Sequence, residues 1–311
     1  MRRFELVVAL LLATGSSAFA APLATAARSV IPKDVQQIIT VDYRALKASP
    51  TALALKDRVL PPNLKEFEKS LKALGVDPDK DVESLTFAAF RTSKQGVQVI
   101  GIAQGMFAAK QVLQRMNAKK IKPTKYHDSW LYPVGSMQLN FLDEFTIAFG
   151  EASALQAALD ARDGYAESLS SNSAITDLVN SADQGSVWSV LDATGTQNML
   201  KSALGDASQL GDYDVVKKRL LGSRYAMDFT NGVEFDLNVV TSDAVTATML
   251  SSLVKAGMMY RRMTTSTPSE KVALESVTVG SDSDRLQVHF KADDSKFQSL
   301  LQSDLFAAVS K

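Results

Sequence analysis

Apolar residues in this chain recur at every second position in some stretches and at helical spacing in others, and the two patterns alternate from end to end. A period of two marks a half-buried strand, and a period of 3.6 marks an amphipathic helix. The sharpest local signal is Asn231-Gly232, set between apolar runs at residues 225–230 and 233–240. That dipeptide suits a tight hairpin turn, in which both central residues need a positive φ. Hairpins make neighbouring strands antiparallel, and the intervening helical stretches need a sheet face to cover. The expected fold is therefore α+β: antiparallel sheets with helices packed on one face, and not a doubly wound parallel sheet.

Residues 36–43 read as a strand carrying Ile38, Ile39 and Val41. Asn63 and Glu66 have the spacing of a capping box, and Leu64, Phe67, Leu71 and Leu74 follow at helical spacing up to Gly75. Pro61-Pro62 is expected to prevent any earlier helix start. Strands are expected at 85–91 and 97–104, joined by a turn through 93–96, then a helix at 107–116 and strands at 130–134, 137–141 and 145–149. A helix at 152–161 closes the first half. The polar, serine-rich stretch 167–173 reads as a linker with a short helix, 175–179, after it.

The same order then returns. A strand at 187–191 runs into Asp192, as the first runs into Asp42. Helices are expected at 200–204, 215–221 and 246–262, and a second hairpin at 272–279 and 286–290 across the turn 281–284. Phe297, Leu300, Leu301 and Leu305 mark a last helix. The reading is two structurally similar halves, 28–165 and 186–311, joined through 166–185, with an extra strand in the first.

The N-terminus reads as an export signal. Arg2 and Arg3 precede the apolar core 6–13, and Ala18-Phe19-Ala20 is a small-x-small cleavage site. Residues 1–20 are expected to be removed after Ala20, leaving a periplasmic or secreted protein. The core is shorter than the ~20 residues of a spanning helix, and no later stretch is long and apolar enough, so no transmembrane segment is expected in the mature chain. The chain has no cysteine, so it has no disulfide framework and no site for a lipid at the cleavage point. Lys and Arg number 34 against 34 Asp and Glu, which gives no reason to expect nucleic acid as a partner.

Signatures of chemistry are scarce. His127 and His289 are the two histidines, and no Gly-x-Ser-x-Gly elbow or phosphate-binding glycine loop occurs. His127 stands beside Asp128 and Ser129, which reads as a polar turn. Asp77, Asp79 and Asp81 alternate as calcium ligands do. The sixth and twelfth positions of such a loop, however, hold Val82 and Ala88 in place of glycine and glutamate. No catalytic, cofactor-binding or metal-binding residue is assigned, and no cofactor is expected.

Two surfaces stand out. Lys110, Arg115, Lys119, Lys120, Lys122 and Lys125 form a stretch without acids, and Arg261 and Arg262 lie late on a second acid-free helix. They read either as complements to helix dipoles or as an anion-facing surface. Met249, Met258, Met259 and Met263 read as core filling or as one wall of an apolar groove. Tyr126, Trp130 and Tyr132 suit an aromatic platform or simple strand alternation.

Several phrases resemble a domain-of-unknown-function family of secreted bacterial proteins. They are Ile31-Pro32 leading to Val41-Asp42, Leu74-Gly75-Val76-Asp77-Pro78, and Trp130-Leu131-Tyr132 leading to Phe141-Leu142-Asp143. Phe149-Gly150 and the helix with Leu155 and Leu159 complete the likeness. It covers mainly residues 30–162 and implies the fold and an exported location, with no activity attached. The functional expectation is an exported, non-enzymatic binding or scaffolding protein of the bacterial cell envelope, its partner an envelope protein or an amphiphile. The alternative is a periplasmic carrier of an apolar or amphiphilic ligand such as a lipid. An enzyme using carboxylates assembled in space ranks third.

Overall fold

A computed structural model describes residues 23–59, 61–92, 96–182, 185–204, 213–265 and 268–301. The expected signal peptide, the turn residues 93–95 and Leu305 lie outside the described residues.

Twelve strands occur among them. The first half holds β1 (Val35–Asp42), β2 (Val82–Thr92), β3 (Gly96–Gly105), β4 (Thr124–Tyr126), β5 (Ser129–Val134), β6 (Met137–Phe141) and β7 (Thr146–Gly150). The second holds β8 (Val187–Asp192), β9 (Leu220–Asp228), β10 (Val233–Thr241), β11 (Val277–Asp282) and β12 (Arg285–Ala292). The helices before the midpoint are α1 (Thr25–Val30), α2 (Tyr43–Lys47), α3 (Pro50–Val59), α4 (Pro62–Ala73), α5 (Pro78–Asp81), α6 (Ala109–Ala118) and α7 (Ala152–Asp163). Those after it are α8 (Ser173–Ser181), α9 (Ala193–Leu204), α10 (Tyr213–Val216), α11 (Ala244–Thr264), α12 (Pro268–Glu275) and α13 (Asp294–Leu301).

All the strands join one 12-stranded sheet in the order β11-β12-β10-β9-β8-β1-β2-β3-β7-β6-β5-β4. Every strand pairing is antiparallel, as expected. The halves meet edge to edge at β1 and β8, where Ile39 lies opposite Ser189 and Ile38 opposite Val190. Each half starts with three antiparallel strands, passes through a helix and returns antiparallel, by β4–β7 in the first half and the β11–β12 hairpin in the second, so the first half has two extra strands where one was expected. The last strand of that return, β7 or β12, lies beside the third strand, β3 or β10.

Strand alternation divides the sheet into two faces. Ile39, Phe87, Phe149, Tyr225 and Leu237 point to the first face, which is covered along its length by helices including α3, α4, α6, α9 and α11. Ile38, Ala88, Ile100, Ala148 and Val190 point to the second. There α1, α7 and α8 cover the first half and the seam, burying Leu155, Leu159, Ile175 and Val179. Helices thus lie on one face only across the outer strands of the second half. Here Asp236, Asn238, Gln287 and His289 replace apolar residues on the second face, and no described helix covers them.

Three local expectations need correction. The first is the start of α4, at Pro62, where a missing N–H costs the first turn nothing; Asn63 instead accepts from the N–H of Leu64 at 3.0 Å. Residues 215–219 are helical, as the end of α10 and a 3-10 turn at Lys217–Arg219, but 220–221 are strand, because β9 begins at Leu220 and pairs with β10. Residues 272–275 belong to α12, since Pro268 opens a helix there and the strand starts at Val277. In the serine-rich stretch 167–173 Leu169 is buried, and the helix expected after it forms as α8, with Ile175 and Val179 in the core.

Candidate functional site

The first face is not filled by its helices. Between the central strands and the overlying helices lies a cavity of about 1610 Å³. Ligand pockets commonly span about 300–1,000 Å³. The floor consists of every second residue of the central strands, among them Ile39 and Val41 on β1, Leu85 and Phe87 on β2, and Leu237 on β10. Leu55 of α3, Leu204 of α9, Val254 and Met258 of α11, Leu274 of α12 and Phe297 of α13 add to the walls. The lining is overwhelmingly apolar, because strands that point one face at helices carry apolar residues at alternate positions.

A few polar groups interrupt it. On the floor, Gln37 donates from Nε2 to Ser189 Oγ at 3.3 Å. Tyr225 lies beside this pair, and burial pushes its phenol pKa up, opposed by a hydrogen bond with Ser189. Tyr225 is among the residues that line the cavity.

The wall at α3 carries a second group. Lys56 donates to Tyr43 Oη at 2.6 Å and to Glu68 Oε1 at 3.1 Å, and its ammonium lies 5.0 Å from the Tyr43 ring centre. Tyr43 in turn donates to Asp79 at 2.9 Å, and Lys72 binds the other oxygen of that carboxylate at 3.1 Å. Burial, more than any other influence, pushes the Tyr43 phenol up to about 12. Burial alone would lower Lys56, but its bonds to Tyr43 and Glu68 outweigh that and raise it, so the ammonium keeps its charge. Asp79 is held below its ordinary value although burial opposes this, chiefly by Lys72 and Tyr43. Among the described lining residues the charged ones are Lys56 and Arg261, and none is a carboxylate.

Of the four methionines expected to form a groove, the cavity takes one. Met258 lines it, while Met259 and Met263 are exposed and border, with Lys255 and Arg262, a second depression between α11 and the α12–β11 segment that Met258 shares. Met249 borders neither. Of the basic residues expected to face an anion, Arg261 alone lines the cavity.

The first basic stretch is on the surface around α6. Lys110, Lys120, Lys122 and Lys125 are exposed there. Arg115 and Lys119 donate to the Leu74 and Ala73 carbonyls at 3.0 and 2.9 Å, completing the C-terminal end of α4. The Arg115 guanidinium passes through the space a Cβ would take at Gly75, whose φ of +79° also favours glycine. Arg262 pairs with Glu275 at 2.8 Å.

The aromatic platform is not assembled. Tyr126 packs toward α7 on the second face, whereas Tyr132 packs on the first. His127, at φ +47°, does sit in a turn, but its partner is Asp160 at 3.1 Å, with Tyr165 stacked at 4.2 Å. Asp77 caps α5, and Asp81 accepts from the Asp77 N–H at 2.7 Å. One group suited to a metal ion, Glu234, Asp236 and His289, occurs among the described residues, with ligand atoms within 4.8 Å of one another. His289 already bonds Asp236 at 2.8 Å, and Lys291 bonds Glu234 at 2.8 Å. Sequence reading gave no hint of this cross-strand arrangement, because it depends on the β10–β12 register. No described helix is long and apolar enough to cross a membrane.

The architecture places the chain among α+β proteins with one open antiparallel sheet, roofed by helices over an apolar cavity. The particular protein it resembles in fold is TP0453. Crystal form I of TP0453 aligns with a TM-score of 0.51 at 10% identity, covering 89% of this chain and 96% of that one. Crystal form III gives a TM-score of 0.47 at 9% identity, over 88% and 96%, which carries no further weight. At such identity the likeness shows the fold alone. No family model and no curated protein matches the chain.

Proposed function

We propose that this protein is a non-enzymatic carrier that holds an apolar or amphiphilic molecule, such as a lipid, between its sheet and the helices on the first face. The observation that carries this reading is the apolar cavity of about 1610 Å³. Protein interiors are close-packed, and voids larger than a water molecule are few. A space of this size, floored by the middle of the sheet, supports occupancy by a ligand. An exported envelope location is the setting that the N-terminal leader suggests, and it would give such a carrier access to lipids.

Native mass spectrometry, followed by organic extraction of protein purified from the envelope fraction, tests the proposal. A co-purifying amphiphile, lost when Val254→Trp or Ala203→Trp narrows the cavity, is the expected result. Protein that neither carries an amphiphile nor takes one up from vesicles would refute the reading.

A further inference from the structure

We infer that the cavity selects an anionic amphiphile, a two-chain lipid whose negatively charged, phosphate-bearing headgroup is held by Lys56 and Arg261. This inference rests on the carrier reading and adds the class of ligand.

The argument begins with the sign of the wall. Lys56 and Arg261 supply the charge among the described lining residues, and both are cations. A charge against an apolar space is unfavourable unless it is paired. Lys56 has its counter-charge behind it: Glu68 is bonded to the ammonium at 3.1 Å but does not line the cavity. The positive end therefore belongs to the wall, and the negative partner to the layer outside it. Tyr43, whose hydroxyl accepts from Lys56 at 2.6 Å and donates to Asp79 at 2.9 Å, fixes where that ammonium stands.

The wall at α11 has the same sign. α11 carries Lys255, Arg261 and Arg262 and no acidic residue between Ala244 and Thr264. Arg261, in the last turn, is the one of the three that reaches the cavity. A guanidinium can bind a phosphate through two parallel hydrogen bonds, and an ammonium serves as a compact point charge beside it. Size supplies the rest. The cavity exceeds the roughly 300–1,000 Å³ of common ligand pockets, which favours two acyl chains over one.

The test offers vesicles containing dioleoyl phosphatidylglycerol, dioleoyl phosphatidylethanolamine or dioleoylglycerol, and measures the lipid retained by the full chain after separation. The wild-type protein should retain the phosphatidylglycerol about tenfold over dioleoylglycerol, the effect of one or two charge-assisted bonds. Lys56→Gln combined with Arg261→Gln should erase that preference, so that the ratio of phosphatidylglycerol to dioleoylglycerol retained falls from about ten to about one. Lys56→Arg, which keeps the charge, should preserve the preference. Far-ultraviolet circular dichroism confirms that each variant is folded. Equal uptake of all three lipids, or a preference that survives in the double variant, would overturn the anionic headgroup while leaving the carrier reading intact. Uptake of none of them would overturn the carrier reading itself.

Discussion

Asp42 and Asp192 hold equivalent posts at opposite ends of the seam between the halves. Each ends the first strand of its half, and each accepts a backbone N–H three residues on: Ala45 at 3.0 Å and Gly195 at 2.6 Å. A carboxylate there satisfies one of the donors that a helix start leaves open. Replacing either residue with alanine should cost about 1 kcal/mol, within the ~0.5–2 kcal/mol range of lost caps. Because the two sites share no partner, the losses should add. Urea unfolding of the two single variants and the double variant measures this directly.

Asp243 caps α11 by a richer set of bonds, and these give it a pH signature. The Ser242 hydroxyl at 2.7 Å, then the Thr246 N–H at 2.8 Å and the Thr246 hydroxyl, lower its pKa from 3.8 to about 2. A carboxylate more acidic in the folded state than in the unfolded state stabilises the fold above its unfolded pKa. That contribution should be lost as pH falls from 3.8 towards about 2. Asp243→Asn, which keeps an acceptor but no charge, should flatten this segment of a plot of Tm against pH. An unchanged slope would show that the cap does not titrate in this way.

Gly101 and Phe149 are directly opposite one another on β3 and β7. A Cβ on Gly101 would come within 2.3 Å of the Phe149 ring, which stacks on Phe67 with centroids 4.6 Å apart. Gly101→Ala should therefore destabilise the protein by about 1–3 kcal/mol through overpacking. Adding Phe149→Leu should recover part of the loss, since the smaller side chain vacates that space. Chemical denaturation of the single and double variants separates overpacking from a simple loss of the aromatic stack.

Cavity and core can be told apart by truncation. Leu159 is fully buried on the second face, and Leu159→Ala should cost about 2–5 kcal/mol. Leu204 already borders open space, so Leu204→Ala should cost about 1 kcal/mol or less in the unliganded protein. Similar losses for the two variants in urea would mean that the space beside Leu204 is closed in solution.

Much of the fold was legible because its information is local. The Asn231-Gly232 signal does mark the hairpin of β9 and β10, with Asp228 opposite Glu234, although the connection spans 229–232 and Gly232 alone of the pair takes a positive φ, +91°; the alternation of Met137, Leu139 and Phe141 marks β6. Val272, Ala273 and Leu274 were misread because a short apolar run suits helix and strand alike. The β1–β8 pairing left no trace in either strand, since it joins residues as distant as Ile39 and Ser189. The cavity was hidden for the same reason: its floor comes from strands spread through both halves. Of the four methionines singled out, Met258 alone lies there, and Lys56 and Tyr43 carried no signal at all, since their pairing joins the first residue of α2 to the separate helix α3.

The edge-to-edge seam of β1 and β8 has a mechanical consequence. Swinging the halves apart like the shells of a clam would tear the hydrogen-bond ladder running from Gln37 to Val41, in the middle of the slab. Hinge-bending of two lobes is closed to this architecture. On the carrier reading, a ligand would have to pass between the covering helices, because the slab beneath them is one continuous sheet.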